Sequence, residues 1–158
     1  MPLSVYTCKL GTRAAKDADL LVITREEADA EGLPGVFAPI WAILTPVLDA
    51  RRAQRGTFYG PDREAALEDA RRLELEAWRV YVPSFIEEMR ASYRRHRGDW
   101  ERLLARERVV LACACRAPER CHRTILATVI LPKLGARYGG ERASRRDGVH
   151  VEIVEVAA

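Results

Sequence analysis

Two apolar runs constrain the fold of this chain more than any other feature of its sequence. "ADLLVIT" (18–24) and "RVVLACA" (108–114) are apolar almost throughout, which is typical of strands covered on both faces of a parallel sheet. "LSVYTC" (3–8) predicts another strand, and the strict alternation of "VHVEIVEV" (149–156) predicts a half-exposed one. Because helical stretches separate these strands, the sequence predicts an α/β domain of three layers, with a mainly parallel sheet flanked by helices.

Proline and serine residues mark the predicted helix boundaries in the middle of the chain. Apolar residues recur on one helical face over 61–82, so a helix is expected there, with its end at Pro83. Ser84 and Glu87 have the spacing of a capping box and predict the start of a second helix. A third helix is predicted from Asp99 onward.

Glycine and proline shape the remaining segments. Their density over 32–41 predicts a loop, and Pro46 is expected to limit 42–50 to a short helix. The apolar helix predicted over 123–135 is bent or shortened by Pro132 and ends at its final glycine.

Length and composition bound the class of protein. A chain of 158 residues suits one domain, predicted to span 1–158, and its 48% of hydrophobic residues can form a substantial core. The sequence has no run of about 18 apolar residues and does not start with a secretory signal pattern. Three of the four cysteines lie within one short segment, which favours free thiols in a reducing compartment over a disulfide framework. We therefore expect a soluble, cytoplasmic protein.

The segment "CACRAPERCHR" (113–123) contains the densest group of residues able to act in catalysis or binding. It lies between a buried strand and a helix, where ligands bind in open α/β sheets. A helix start attracts anions and lowers the pKa of nearby thiols. We therefore assign Cys121 or Cys115 as a reactive thiol, His122 as a proton carrier and Arg123 as an anion clamp.

Two other kinds of site are disfavoured by the spacing in this turn. A zinc site usually has two C-x₂₋₄-C pairs, whereas this turn reads C-x-C-x₅-C-H. We expect at most one of Cys113 and Cys115 to enter the site with Cys121, and we predict neither a metal nor a cofactor. A phosphatase-like loop needs an arginine six positions after the cysteine, and none stands there. Cys113 and Cys115 could also simply pack as small apolar residues.

The chain resembles the family called domain of unknown function 488, in particular its bacterial and phage branch. The resemblance lies in "VVLACACRAPERCHRTILATVILPKLGARYGGE" (109–141), most specifically in the Cys-His-Arg turn, and also in "YTCKLG", "VITR", "FAPIW" and "MRASYRRHRGDWERLL". It implies an α/β domain and leaves the activity open. Ala114 departs from the larger aromatic residue that the resemblance implies at its position, and Pro132 interrupts the final helix.

The resemblance suggests that these separated segments meet at the carboxyl edge of the sheet. There they would form a pocket with cations, a thiol and an aromatic wall, which suits a nucleotide or another small anionic ligand. The ligand-binding residues expected beside Arg123 are Thr7, Lys9, Thr24, Arg25, Phe37 and Trp41.

Two other functions are compatible with the sequence. A non-catalytic module could bind nucleic acid through arginines in "RRHR" (94–97) and "ERASRR" (141–146). Alternatively, a metal or a disulfide could stabilise a purely structural domain. Small α/β domains often pair, and the last strand could be a sheet edge, so a homodimer is a further expectation.

Overall fold

The computed structural model describes residues 1–12, 19–24, 34–56, 62–115, 118–144 and 151–154. Its centre is a five-stranded sheet of order β2-β3-β1-β4-β5, in which the first four strands are parallel and β5 is antiparallel to β4. The α/β class with a mainly parallel sheet is therefore confirmed. The strands are β1 (Ser4–Lys9), β2 (Leu20–Val22), β3 (Arg108–Cys113), β4 (Arg137–Ser144) and β5 (Val151–Val154).

The described helices form two groups, one before β3 in the chain and one after it. The group before β3 contains α1 (Pro34–Phe37), α2 (Trp41–Gly56), α3 (Arg63–Arg95) and α4 (Arg97–Leu104). After β3 come a 3₁₀ turn (Pro118–Arg120), α5 (His122–Ile125), a π-helical stretch (Leu126–Ile130) and α6 (Leu131–Lys133). No helix in these described ranges is both long and apolar enough to cross a membrane.

The chain divides into two compact units. The first comprises residues 1–38 and 89–158 and contains the sheet, and the second comprises residues 39–88. Within the second unit, Glu74 accepts hydrogen bonds from Arg51 and Gln54, and the rings of Trp78 and Tyr81 are stacked. A single domain over the whole chain stays a prediction.

The two faces of the sheet carry different residues. Cys8, Val110 and Ala112 pack together on one face, with Tyr6 against them. Because successive side chains alternate between faces, Cys113 lies on the opposite face from Ala112. Cys8 and Cys113 are therefore separated by the sheet, although both are buried.

The predicted helix break at Pro83 is wrong. Helix α3 runs through Pro83 without ending, and Ser84 donates its hydroxyl hydrogen bond to the carbonyl of Val80 one turn back instead of capping a new helix. A proline inside a helix costs about 3 kcal/mol. Tyr81 and Phe85, which flank it, are buried and stacked at 5.7 Å, and their packing outweighs this local cost.

The segment before α3 is also more helical than expected. Pro34–Phe37 forms helix α1 inside the predicted loop, and α2 extends over Trp41–Gly56 with Pro46 inside it. Pro46 stands early in α2, near the end where the backbone N–H groups have no intrahelical partner. The missing N–H of proline therefore disturbs α2 less than it would disturb a central turn.

The helix after the cysteine turn continues past Pro132 through a change of helix type. Residues 122–133 are helical throughout, with π geometry over Leu126–Ile130. A proline ring clashes with the carbonyl four residues back, here that of Thr128, and the wider π turn relieves this crowding. Gly135 then ends the helix at φ 94°, with its N–H bonded to the Pro132 carbonyl and that of Ala136 bonded to the Leu131 carbonyl.

Strand β4 is the element that the sequence pattern does not predict. Its register against β1 shifts between Val5 and Tyr6, which pair with Tyr138 and Gly140. A side chain at Gly139 would run into the ring of Tyr6 unless that ring moved, so this bulge favours glycine. The polar, glycine-containing "RYGGERAS" therefore forms a strand because β1 offers an edge to pair with.

Candidate functional site

The cysteine turn lies where three strands end. Cys113 is the last residue of β3 and is in register with Lys9, the last residue of β1. The Leu10 N–H donates to the Cys113 carbonyl at 2.8 Å. Ile23, directly after β2, accepts a hydrogen bond from His122. The carboxyl ends of β1, β2 and β3 therefore converge on the turn that leads into α5.

The turn brings sulfur atoms and an imidazole together. Cys113 Sγ and Cys121 Sγ each lie 3.8 Å from His122 Nδ1, and Cys115 Sγ lies 3.8 Å from Cys113 Sγ. Cys113, Cys121 and His122 are buried, whereas Cys115 is half-buried. Cys113, and not Cys115, forms the close donor group with Cys121 and His122, in agreement with the expectation that at most one of the two enters the site with Cys121.

His122 is held in one orientation by the backbone. Its Nε2 lies 2.6 Å from the Ile23 carbonyl oxygen, which can only accept a hydrogen bond, so Nε2 carries a proton. The other ring nitrogen, Nδ1, consequently faces the sulfur atoms. Burial lowers the pKa of His122, but its contacts with Cys113 and with the Ile23 carbonyl raise that pKa more, and the net shift is upward.

Arg123 is a buried arginine that connects the turn to β4. Its side chain is fully buried and pairs with Glu141, with Nη2 at 2.8 Å from Oε1 and Nε at 3.3 Å from Oε2. Nη1 donates to the Cys115 carbonyl at 2.9 Å and to Cys121 Sγ at 3.3 Å. One guanidinium thus fixes both the backbone at Cys115 and the sulfur of Cys121.

Glu141 receives further support from β1. The hydroxyl of Thr7 donates a short hydrogen bond to Glu141 Oε2 and lies 2.9 Å from the hydroxyl of Tyr138. Both Thr7 and Glu141 are buried. Thr7, Glu141 and Arg123 form one continuous hydrogen-bonded chain from β1 to the turn, which we call the Arg123 network.

The surroundings of Cys113 and Cys121 raise the pKa of both buried thiols. Burial raises the pKa of Cys121 to about 12. The pKa of Cys113 is also raised, first by its contacts with Cys115 and Cys121 and then by burial. A thiol becomes a strong nucleophile or metal ligand only as a thiolate. A positive charge beside these sulfur atoms would favour their thiolate forms.

The donor set is suited to a metal ion. One ligand atom from each of Cys113, Cys121 and His122 lies within 4.8 Å of the others. Thiolate and imidazole are the ligands that zinc prefers in proteins. The half-buried Cys115 offers a further sulfur beside this group.

The residues expected to bind a ligand differ in their exposure and in their position in the fold. Lys9 is exposed at the carboxyl end of β1, and Thr24 is buried just after β2. Phe37 packs edge-on against Trp100 at 4.8 Å in the first unit, whereas Trp41 belongs to the second unit and is 42% exposed. Arg25 lies outside the described residues.

Sequence reasoning missed three residues of this site. The sequence favours Cys113 as a small apolar residue that packs in the core. Its position at the end of the most apolar strand, however, places it at the carboxyl edge of the sheet. Glu141 and Tyr138 stand in the tail that carries the family resemblance, but only the register of β4 against β1 brings them to Thr7. The sequence signal that could have indicated Glu141 is its position as an acidic residue between two glycines and an arginine.

Comparison with known proteins supports the family resemblance. Residues 61–134 match a family model described as the active DUF488-N3 subclade. The matched range contains α3, α4, β3 and the whole Cys-His-Arg turn. The DUF488 resemblance inferred from the sequence is therefore confirmed over this range. No curated protein and no solved structure matches the chain.

Proposed function

We propose that this DUF488-like domain binds a small anionic ligand, of the nucleotide class, at the carboxyl edge of its sheet and processes it beside the cysteine turn. The observation that carries the proposal is the convergence of three thiols and an imidazole at the ends of β1, β2 and β3. Ligands of open α/β sheets bind at this edge.

Charge at this edge supports an anionic ligand. Lys9 is exposed and in register with Cys113, so it stands at the same edge of the sheet as the thiols. Arg123 is engaged by Glu141 and by the turn, so it acts as the residue that positions Cys121. In this proposal Lys9 attracts the ligand, and the sulfur and imidazole groups face it.

A catalytic role is supported by the description of the matching subclade as active. The chemistry-bearing side chains also lie within the matched range, from Cys113 to Arg123. In the proposed reaction His122 exchanges protons with the ligand or with Cys121. Cys121 and Cys115 are the candidate thiols.

Binding of adenosine monophosphate and of inorganic phosphate tests this proposal. We expect both probes to bind the full chain at low salt, and Lys9→Met to weaken their binding about fivefold, the effect of removing one exposed ion pair. Lys133→Met is the matched control, because Lys133 is an exposed lysine at the far end of the helical stretch that starts at His122. Calorimetric or fluorescence titration measures both variants.

Either of two results would contradict the anionic ligand. The wild-type chain could fail to bind either probe at low salt, or the Lys9 and Lys133 variants could weaken binding equally. A nucleic acid is the second candidate partner, because Arg94 and Arg95 at the end of α3 are exposed. Salt-dependent binding of a short DNA or RNA that is lost in an Arg94→Gln/Arg95→Gln variant but kept in Lys9→Met would favour this second partner.

A further inference from the structure

The donor atoms around His122 are spaced like the ligands of a tetrahedral metal ion. The distances from Cys113 Sγ and Cys121 Sγ to His122 Nδ1, and between Cys113 Sγ and Cys115 Sγ, are each 3.8 Å. With Zn–S bonds of about 2.3 Å and a Zn–N bond of about 2.0 Å, tetrahedral zinc places two sulfur ligands about 3.8 Å apart and a sulfur and a nitrogen about 3.5 Å apart. The three buried donors therefore have close to the dimensions of a zinc site. Cys115 Sγ has this spacing to Cys113 Sγ but lies outside the group of mutually close donors, so its side chain must turn toward the other two to complete the site.

We propose that Cys113, Cys115, Cys121 and His122 bind one zinc ion. Three cysteines and one histidine are an established combination for tetrahedral zinc, and soft thiolates select it over magnesium and calcium. Cys113, Cys121 and His122 are the buried ligands. The half-buried Cys115 supplies the fourth position, which is the one nearest to solvent.

The orientation of His122 is that of a metal-binding histidine. Such histidines usually donate the second ring N–H to a carboxylate, a backbone carbonyl or a water, which fixes the tautomer and the ring direction. Here Nε2 donates to the Ile23 carbonyl and Nδ1 faces the sulfur atoms. This hydrogen bond holds Nδ1 toward the proposed ion.

Arg123 supplies the corresponding support for the sulfur ligands. Its Nη1 donates to Cys121 Sγ at 3.3 Å and to the Cys115 carbonyl at 2.9 Å. Each thiol that binds zinc releases its proton to solvent, so three thiolates and one Zn²⁺ carry a net charge of minus one. A guanidinium N–H directed at one sulfur stabilises that negative charge.

The metal and the anionic ligand are separable. Zinc binding does not need any anionic ligand to be present. When the ion is bound, Cys121 and His122 are its ligands, so the thiol and proton-transfer roles of the proposed function belong to the metal-free chain. Zinc is therefore measured on the chain alone. A chain that binds zinc but neither adenosine monophosphate nor phosphate would refute the proposed function and leave the metal site standing.

Cobalt spectroscopy with zinc competition tests the site. The reduced, metal-free full chain is titrated with Co²⁺, then with Zn²⁺, and the bound zinc is counted by mass spectrometry. We expect one ion per chain, the intense visible bands of tetrahedral cobalt, and sulfur-to-cobalt charge transfer of three thiolates. Cys115→Ala should lower that charge transfer by one third, and Cys121→Ala should weaken binding roughly 100-fold.

Cys8→Ala is the matched control, because Cys8 is a buried cysteine on the other face of the sheet. It should leave the stoichiometry and the spectrum unchanged. The wild-type spectrum alone reports the geometry and the number of thiolate ligands, so the test does not depend on every variant folding. The proposal is overturned by weak octahedral cobalt bands, by zinc well below one ion per chain, or by equal losses in the Cys8 and Cys121 variants.

Discussion

Replacing Glu141 by Gln should lower the free energy of unfolding by about 3–5 kcal/mol, because it leaves the buried guanidinium of Arg123 without its counter-charge. The two side chains are 8% and 0% exposed and lie 2.8 Å apart. The total free energy of unfolding of a native domain is only about 5–15 kcal/mol, so the expected loss is a large fraction of it. Denaturant unfolding followed by circular dichroism measures the change.

A surface pair provides the control for this prediction. Arg97 and Glu101 are 2.9 Å apart, but their side chains are 68% and 61% exposed. Glu101→Gln should therefore leave the unfolding midpoint unchanged. If Glu141→Gln unfolds at the same denaturant concentration as the wild type, the Arg123 network does not stabilise the fold.

Zinc should stabilise the chain strongly against heat. An ion that binds only the folded state adds about 4 kcal/mol when its free concentration is about 1,000 times its Kd. For a chain of this size that corresponds to a rise in Tm of roughly 8–16 °C. Differential scanning calorimetry of the reduced chain, with zinc and with a chelator, measures the shift.

Two comparisons make the thermal shift specific. Magnesium, which prefers oxygen ligands, should leave Tm unchanged. At the same zinc concentration a site weakened about 100-fold keeps only about 1.4 kcal/mol of the stabilisation, so Cys121→Ala should reduce the shift to about a third. Cys8→Ala should keep the full shift, since only Cys121 belongs to the cluster. An equal zinc response in both variants would mean that the stabilising ion binds elsewhere.

The parallel sheet could be predicted from the sequence because its central strands are apolar on both faces. The run at 108–114 predicts β3 to within one residue of its end at Cys113. The long helix α3 could not be predicted in the same way. The local preference of Pro83 to end a helix is overridden by packing around Tyr81 and Phe85, and that packing exists only in the folded chain.

The site could be predicted only in part. Cys121, His122 and Arg123 could be predicted as site residues because they are adjacent in the sequence at a predicted helix start. The partner of Arg123 could not, because Glu141 reaches it only through the pairing of β4 with β1. The contact between His122 and the Ile23 carbonyl likewise joins residues far apart in sequence through the order of the strands.

Zinc K-edge X-ray absorption on the loaded wild-type chain is the most direct test of the cysteine and histidine centre. A site built from Cys113, Cys115, Cys121 and His122 predicts a four-atom shell of three sulfurs at about 2.3 Å and one nitrogen at about 2.0 Å. A shell of oxygen and nitrogen atoms without sulfur would contradict the account. The thiols would then be packing residues of the cysteine turn and not a metal centre.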